Sequence, residues 1–127
     1  DLLQKKLLLS TYVAHGRGSG DNYAVAFSNR PGSYQSSLGF FRTGDTYMGK
    51  NGYSLFLDGL EKGINDKARE RAIVVHGANY ADPAVLKGQQ RLGRSLGCPA
   101  LPPDISKQVI DTIKGGVLLY IYGLNKA

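Results

Sequence analysis

Glycine is what most restricts this chain. Seventeen of its 127 residues are glycine, nearly twice the ordinary share of about 7%. They fall between short apolar runs, a pattern that reads as strands joined by tight turns and loops. Asp1–Leu3 and Leu7–Ala14 read as a hairpin turned at Gln4–Lys5–Lys6, and Tyr23–Phe27, Gly39–Arg42, Leu55–Leu57 and Ala72–His76 as further strands. Ile73-Val74-Val75 is a β-branched run that suits a buried strand, and Val117–Tyr122 reads as another by composition. Two short helices interrupt the β pattern. One, at about 66–71, could be capped by Asn65 or Asp66. The other spans about 104–114: Asp104 follows Pro102–Pro103 as an N-cap, Ile105, Val109, Ile110 and Ile113 fall at helical spacing, and Gly115–Gly116 ends the run. The expected fold is mainly β, with long loops at Gly16–Asp21, Asn29–Ser37 and Ala78–Leu92, and loops of that length in a compact domain often carry function.

A length of 127 residues is that of one domain, expected here over 1–127. Hydrophobic residues at 42% and charged residues at 20% are ordinary globular usage and argue against disorder. No stretch approaches the roughly 20 apolar residues that span a bilayer. The opening DLLQKKLLLS lacks the features of a signal peptide, so the expectation is a mature or trimmed form from which any targeting segment has gone.

The net charge is +6, which favours anionic partners. The basic residues are scattered, however, at Lys5–Lys6, Arg42, Lys67–Arg69–Arg71 and Arg91–Arg94, and no nucleic-acid motif accompanies them. Nucleic acid is therefore not an expected partner.

Cys98 is the one cysteine, which excludes a disulfide framework and a multi-cysteine zinc site. It is either a small core residue or a nucleophile, and a nucleophile needs a histidine, of which there are two, His15 and His76. His76 ends a β-branched strand and is followed by Gly77, so the sheet would position a ring that faces the loops, as a general base requires. Around the cysteine, Gly93-Arg94-Ser95-Leu96-Gly97-Cys98-Pro99 makes a tight turn. Consecutive backbone N–H groups there could converge on an oxyanion, Gly97 would permit close approach of a carbonyl, and Arg94 would favour thiolate over thiol. His76 precedes Cys98 by 22 residues.

In this order the elements resemble the L,D-transpeptidases of bacterial cell walls, YkuD-like in fold, whose signature is His-Gly, a loop, then Ser-His-Gly-Cys. Here Ser95, Gly97 and Cys98 are in register, and Leu96 stands where the common form has His. The resemblance is closer to the murein L,D-transpeptidase catalytic-domain-like branch. Its strings recur as VAHGRGSG at 13–20, FSN…GS…SSLGF at 27–40, the Y-x-G-x-x-G-x-SL-x-L-x-GLE-x-G-x-ND run at 47–66, RAIVxHGA at 71–78 and GRSxGCPA at 93–100.

The resemblance implies a β-sandwich of mixed sheets and a cysteine enzyme without metal or cofactor. Cys98 would attack the carbonyl between the L-centre of meso-diaminopimelate and the terminal D-Ala of a tetrapeptide stem. The product would be a thioester, with release of D-Ala and transfer of the acyl group to an amine. His76 would take the thiol proton, the Gly77 carbonyl would orient its ring, Gly97 and Cys98 N–H would hold the oxyanion, and Ser95 would support the loop. Arg94 would meet stem-peptide carboxylates; Arg91 and Arg71 read as surface residues. His15 would either line the site in compensation for Leu96 or order its own loop. Ser36–Phe40 would flank the cleft, with Phe40 and Tyr34 as walls. The partner would be anionic peptidoglycan stem peptide, the compartment the bacterial cell envelope, periplasmic or exported, and a monomer is favoured. The alternatives are an L,D-carboxypeptidase with water as acceptor, a zinc peptidase built from His15, His76 and Cys98, and a wall-binding module without catalysis.

Overall fold

A computed structural model describes residues 1–89 and 91–124. Five strands form one curled mixed sheet in the order β4-β3-β2-β1-β5: β1 Gly39–Gly49, β2 Gly52–Gly59, β3 Val74–Gly77, β4 Ala100–Leu101 and β5 Leu118–Ile121. One helix, α1, spans Pro103–Ile113, and single 3-10 turns lie at Arg17–Ser19, Asn79–Ala81 and Pro83–Lys87. The expected mainly β architecture is what is found. Its mixed character resides in one sheet, and among the described residues the second sheet of a sandwich has no counterpart.

β1 and β2 form an antiparallel hairpin closed by Gly49 opposite Gly52. Gly52 has φ +82°, a left-handed conformation that glycine adopts without steric cost. A bulge between Thr43 and Thr46 bends β1. There the buried Thr43 donates its hydroxyl to the Ile113 carbonyl and accepts the N–H groups of Gly116 and Val117, so it ties the end of α1 to the sheet. Phe41, Leu55, Leu57, Ala68, Ile73, Val75, Leu101 and Ile110 form the main core, with α1 packed over β2 and β3. Removing a side chain such as the fully buried Ile110 would cost about 2–5 kcal/mol.

Several sequence expectations fail locally, some because hydrogen-bond partners elsewhere take up the groups and some because a segment finds no strand to pair with. Residues 66–71 form consecutive turns rather than a helix. The two cap candidates are spent elsewhere: Asn65 is buried, donating to the carbonyls of Leu38 and Phe40 and accepting from Glu61 N–H, and Asp66 accepts from Gly63 N–H and Asn29. The 1–14 hairpin has its turn, with reciprocal bonds between Asp1 and Lys6, but residues 7–13 find no strand to pair with and remain exposed. Tyr23–Phe27 is also not a strand; Val25 and Ala26 donate to the Ser19 carbonyl instead. At α1 the cap position is Pro102, and Asp104 sits in the first turn without a capping bond. β5 is a strand but not a buried one: it is an edge that pairs with β1, and Leu118 is 60% exposed.

Candidate functional site

The register of the two shortest strands assembles the site. β3 and β4 are parallel, with His76 opposite Ala100 and Gly77 opposite Leu101. Continuing that register backwards sets Cys98 beside Val74. The Cys98 Sγ indeed accepts from Val74 N–H at 3.4 Å and donates to the Ala72 carbonyl at 3.5 Å. Ala72 has φ +56°, a left-handed conformation that a residue with a Cβ adopts only at a cost. His76 lies two residues further along β3, a rise of about 7 Å, and is buried at 4% exposure. Its Nδ1 donates to the Gly77 carbonyl at 2.9 Å. A carbonyl can only accept, so Nδ1 carries a proton, and in the neutral ring the lone pair is on Nε2.

Ser95 closes the cysteine loop. Its hydroxyl donates to the Cys98 carbonyl at 2.6 Å and accepts Gly97 N–H at 3.1 Å. The Gly97 N–H is thus occupied, whereas among the described residues no hydrogen bond engages the Cys98 N–H. Gly97 has φ +123°, and a Cβ on it would stand 3.0 Å from the Gln35 carbonyl and 3.1 Å from the Ile73 side chain. The loop admits glycine there and little else.

The segment carrying His15 docks on this loop. Ala14 bridges to Ala100 and Gly16 to Ser95, and Ser95 N–H donates to the His15 carbonyl at 2.9 Å. A Cβ on Gly16 would lie 2.8 Å from Gly97 Cα, so backbone meets backbone. The His15 Nδ1 donates to the Gly16 carbonyl at 2.9 Å, the same arrangement as in His76–Gly77. Together with Ala14, Ser36, Val75 and Pro99, His15 borders a mainly apolar cleft of about 770 Å³ that extends toward α1 and β5.

The other expected contributors separate. Arg94 donates to the Gly20 carbonyl at 3.0 Å and lies 3.9 Å from Asp21, to which Arg91 is also paired. Phe40 packs against Tyr120 with the rings tilted by 37° and their centroids 4.4 Å apart, where β1 meets β5. Tyr34 is nearer the loop: its ring lies under the Arg17 guanidinium, and its carbonyl accepts Gly18 N–H.

The guanidinium beside the cysteine is Arg71, which the sequence alone suggested was a surface group. It donates to the carbonyls of Ser28 and Gln35 and to the hydroxyls of Ser37 and Ser33. Tyr80 is a second residue not foreseen; burial pushes its phenol up, and the nearby Cys98 adds to that in the same direction. The usable signal for Arg71 was its place at the head of the RAIVxHGA string, where a cation directly precedes a buried apolar strand. Burial pushes the Cys98 thiol above its ordinary value, opposed by Val74 N–H and by the Arg71 charge. The expected depression by Arg94 is absent, and burial outweighs the two lowering effects. Among the described residues, no group of three or more His, Cys, Asp and Glu side chains is placed to hold a metal ion.

No curated protein and no solved structure matches the chain. The family model described as L,D-transpeptidase catalytic domain matches residues 1–122, which contain the whole His76–Gly77 and Ser95–Cys98 arrangement. By that match the chain belongs to the L,D-transpeptidase catalytic domain family.

Proposed function

We propose that this protein is a cysteine-dependent peptidoglycan L,D-transpeptidase acting in the bacterial cell envelope. The observation that supports the reading is the parallel register of β3 and β4, which puts the only thiol beside Val74, two residues before the buried His76 on the same strand. With Nδ1 given to the Gly77 carbonyl, the neutral imidazole has Nε2 as its basic nitrogen.

Sγ attacks the carbonyl that joins the L-centre of diaminopimelate to the terminal D-Ala. The Cys98 proton passes through His76 Nε2 to the departing amine, the C–N bond breaks, and D-Ala leaves. The thioester then accepts an amine, whose proton returns through His76, and the thiolate departs. A neutral resting thiol suits this sequence, since burial disfavours the thiolate until the base removes its proton. The Cys98 N–H, unengaged among the described residues, is the natural oxyanion donor, and Ser95 keeps the loop in shape for it. With water in place of the amine, the same steps give an L,D-carboxypeptidase.

The test is incubation with purified disaccharide tetrapeptide, read by mass. The expected products are free D-Ala and a crosslinked dimer. Free D-Ala with a tripeptide alone would make the protein a carboxypeptidase. A carbapenem should add once per chain, and Cys98→Ala should lose both the adduct and the release of D-Ala. Persistence of either would remove Cys98 from the mechanism.

A further inference from the structure

Arg71 makes contacts that a surface arginine has no reason to make. Its guanidinium reaches across from the end of the 61–72 turn segment into the serine-rich loop 28–37 and gives its N–H groups to four oxygens of that loop. All four acceptors are neutral: two carbonyls and two hydroxyls. Among the described residues no carboxylate lies within 4 Å of it, although every other arginine whose salt bridge is seen here meets Asp21 or Asp58. A half-buried cation with hydrogen bonds but no counter-ion is an unbalanced charge. The same guanidinium closes around the nucleophile's loop, since a Cβ on Gly97 would stand 3.4 Å from Arg71 Nη2. The anion that can balance it is the Cys98 thiolate.

The geometry points to Arg71 as an electrostatic positioning residue: fixed by the 28–37 loop, its guanidinium is the counter-charge of the Cys98 thiolate and holds that thiolate ready between the proton transfers of the reaction. This rests on Cys98 being the nucleophile. The groups around the loop assign the role to Arg71 rather than to a neighbour. Tyr80 is neutral or anionic and cannot supply positive charge. His76 and His15 each give Nδ1–H to a glycine carbonyl, and His76 is a cation only while it holds the thiol proton, whereas Arg71 carries its charge throughout. Arg94 and Arg91 are directed to Asp21 and Gly20. The fixed loop gives the arrangement a second consequence: because Ser33, Gln35 and Ser37 set the position of the charge, the 28–37 loop is coupled to thiol reactivity without touching the thiol.

The experiment uses the whole chain and a small neutral probe. Iodoacetamide reacts with the thiolate, forming a C–S bond and releasing iodide, and Cys98 is the only thiol that can react. The rate is followed against pH for the wild type, Arg71→Gln and Arg71→Lys. Gln keeps amide donors for the loop and removes the charge; Lys keeps the charge. The expected result is a midpoint raised by about one unit in Arg71→Gln, hence about tenfold slower alkylation near neutrality. Arg71→Lys should recover most of it. Equal profiles for all three proteins, or equal losses in Gln and Lys, would overturn the proposal, the second because it would mark a role in loop shape alone. Should Arg71→Gln fail to fold, the wild type decides: the Arg71 guanidinium ¹⁵N resonances should move with the alkylation midpoint and be flat over that range in Cys98→Ala. Resonances that do not follow the thiol in wild type would overturn it as well. A failed nucleophile looks different, since a Cys98→Ala protein that still releases D-Ala overturns the mechanism itself and with it any catalytic meaning of Arg71.

Discussion

The segments 13–20 and 71–78 offer the same local unit and use it differently. Each carries a His-Gly pair in which Nδ1 donates to the glycine carbonyl at 2.9 Å. His76 is on a strand: its backbone is held by β2 through Ser54 and by β4 through Ala100, and its side chain is buried. His15 is on a loop held by isolated bridges, half-buried, and open to the apolar cleft. A tautomer can thus be set by two residues of sequence, but rigid placement needs ladder partners on both sides. The arginines divide in the same way: Arg71 is fixed by four neutral acceptors beside Cys98, whereas Arg94 is held near an exposed carboxylate.

The largest effect that would separate the two segments is on turnover. His76→Ala should slow acylation by tetrapeptide about 10²-fold or more, while His15→Ala should cost less than about tenfold, checked by single-turnover kinetics. Equal losses would mean that the two imidazoles share the proton transfers and that the contrast between strand and loop has no functional weight.

Stability should split the glycines in the opposite sense. A Cβ on Gly16 would lie 2.5 Å from the Tyr34 carbonyl and 2.8 Å from Gly97 Cα, both backbone, while one on Gly77 would lie 2.5 Å from Ser106 Oγ, which can rotate away, and 2.9 Å from Ser106 Cβ, which yields only by a small shift of α1. Gly16→Ala should therefore lose about 1–3 kcal/mol by denaturant unfolding. Gly77→Ala should lose less, and Ser106→Ala alongside it should relieve part of the loss.

Arg94→Ala provides a smaller contrast with Arg71. If its role is contact with a stem-peptide carboxylate, tetrapeptide turnover should fall several-fold to about tenfold and alkylation of Cys98 by a neutral reagent should not change. A change in alkylation would move part of the thiolate's counter-charge to Arg94.

The smallest effect is on acid stability, and it falls on the side of His76. Asp111 of α1 accepts from Lys107 Nζ and from the Tyr53 hydroxyl of β2, and these bonds hold its carboxyl down at about 2. A carboxylate with a lowered folded pKa stabilises the fold above its unfolded value of about 3.9 and loses that contribution as the pH falls toward 2. Acidification through this window should loosen α1, against which Gly77 packs, before it affects the docking of residues 13–20. Hydrogen exchange at the α1 amides between pH 4 and 2 would show it, and Asp111→Asn should flatten the response.

Much of this arrangement could be read from the chain. Glycine spacing and β-branched runs indicated β1, β2 and β3, and isoleucine spacing indicated α1, because these elements bury one face whose period is written locally. The resemblance carried by GRSxGCPA and RAIVxHGA pointed to Cys98, His76 and Gly77 as candidates, and chain order brought them within one turn and one strand. The failures share a cause. Asn65 has the chemistry of a helix cap but is spent on bracketing the start of β1. Leu118–Ile121 has the composition of a buried strand but lies at an edge. Arg71 has the composition of a surface residue, yet its acceptors come from a loop more than 30 residues earlier. The sequence by itself determined which segments prefer strand, turn or helix, and which side chains can act as nucleophile and base, since those properties depend on covalent chemistry and near neighbours. Only the tertiary structure decided that β3 and β4 run parallel, that Cys98 lies against Ala72 and Val74, and which of several arginines stands beside the thiol. Those are long-range pairings, selected by the burial and hydrogen bonding of groups distant in the chain, and no local pattern encodes them.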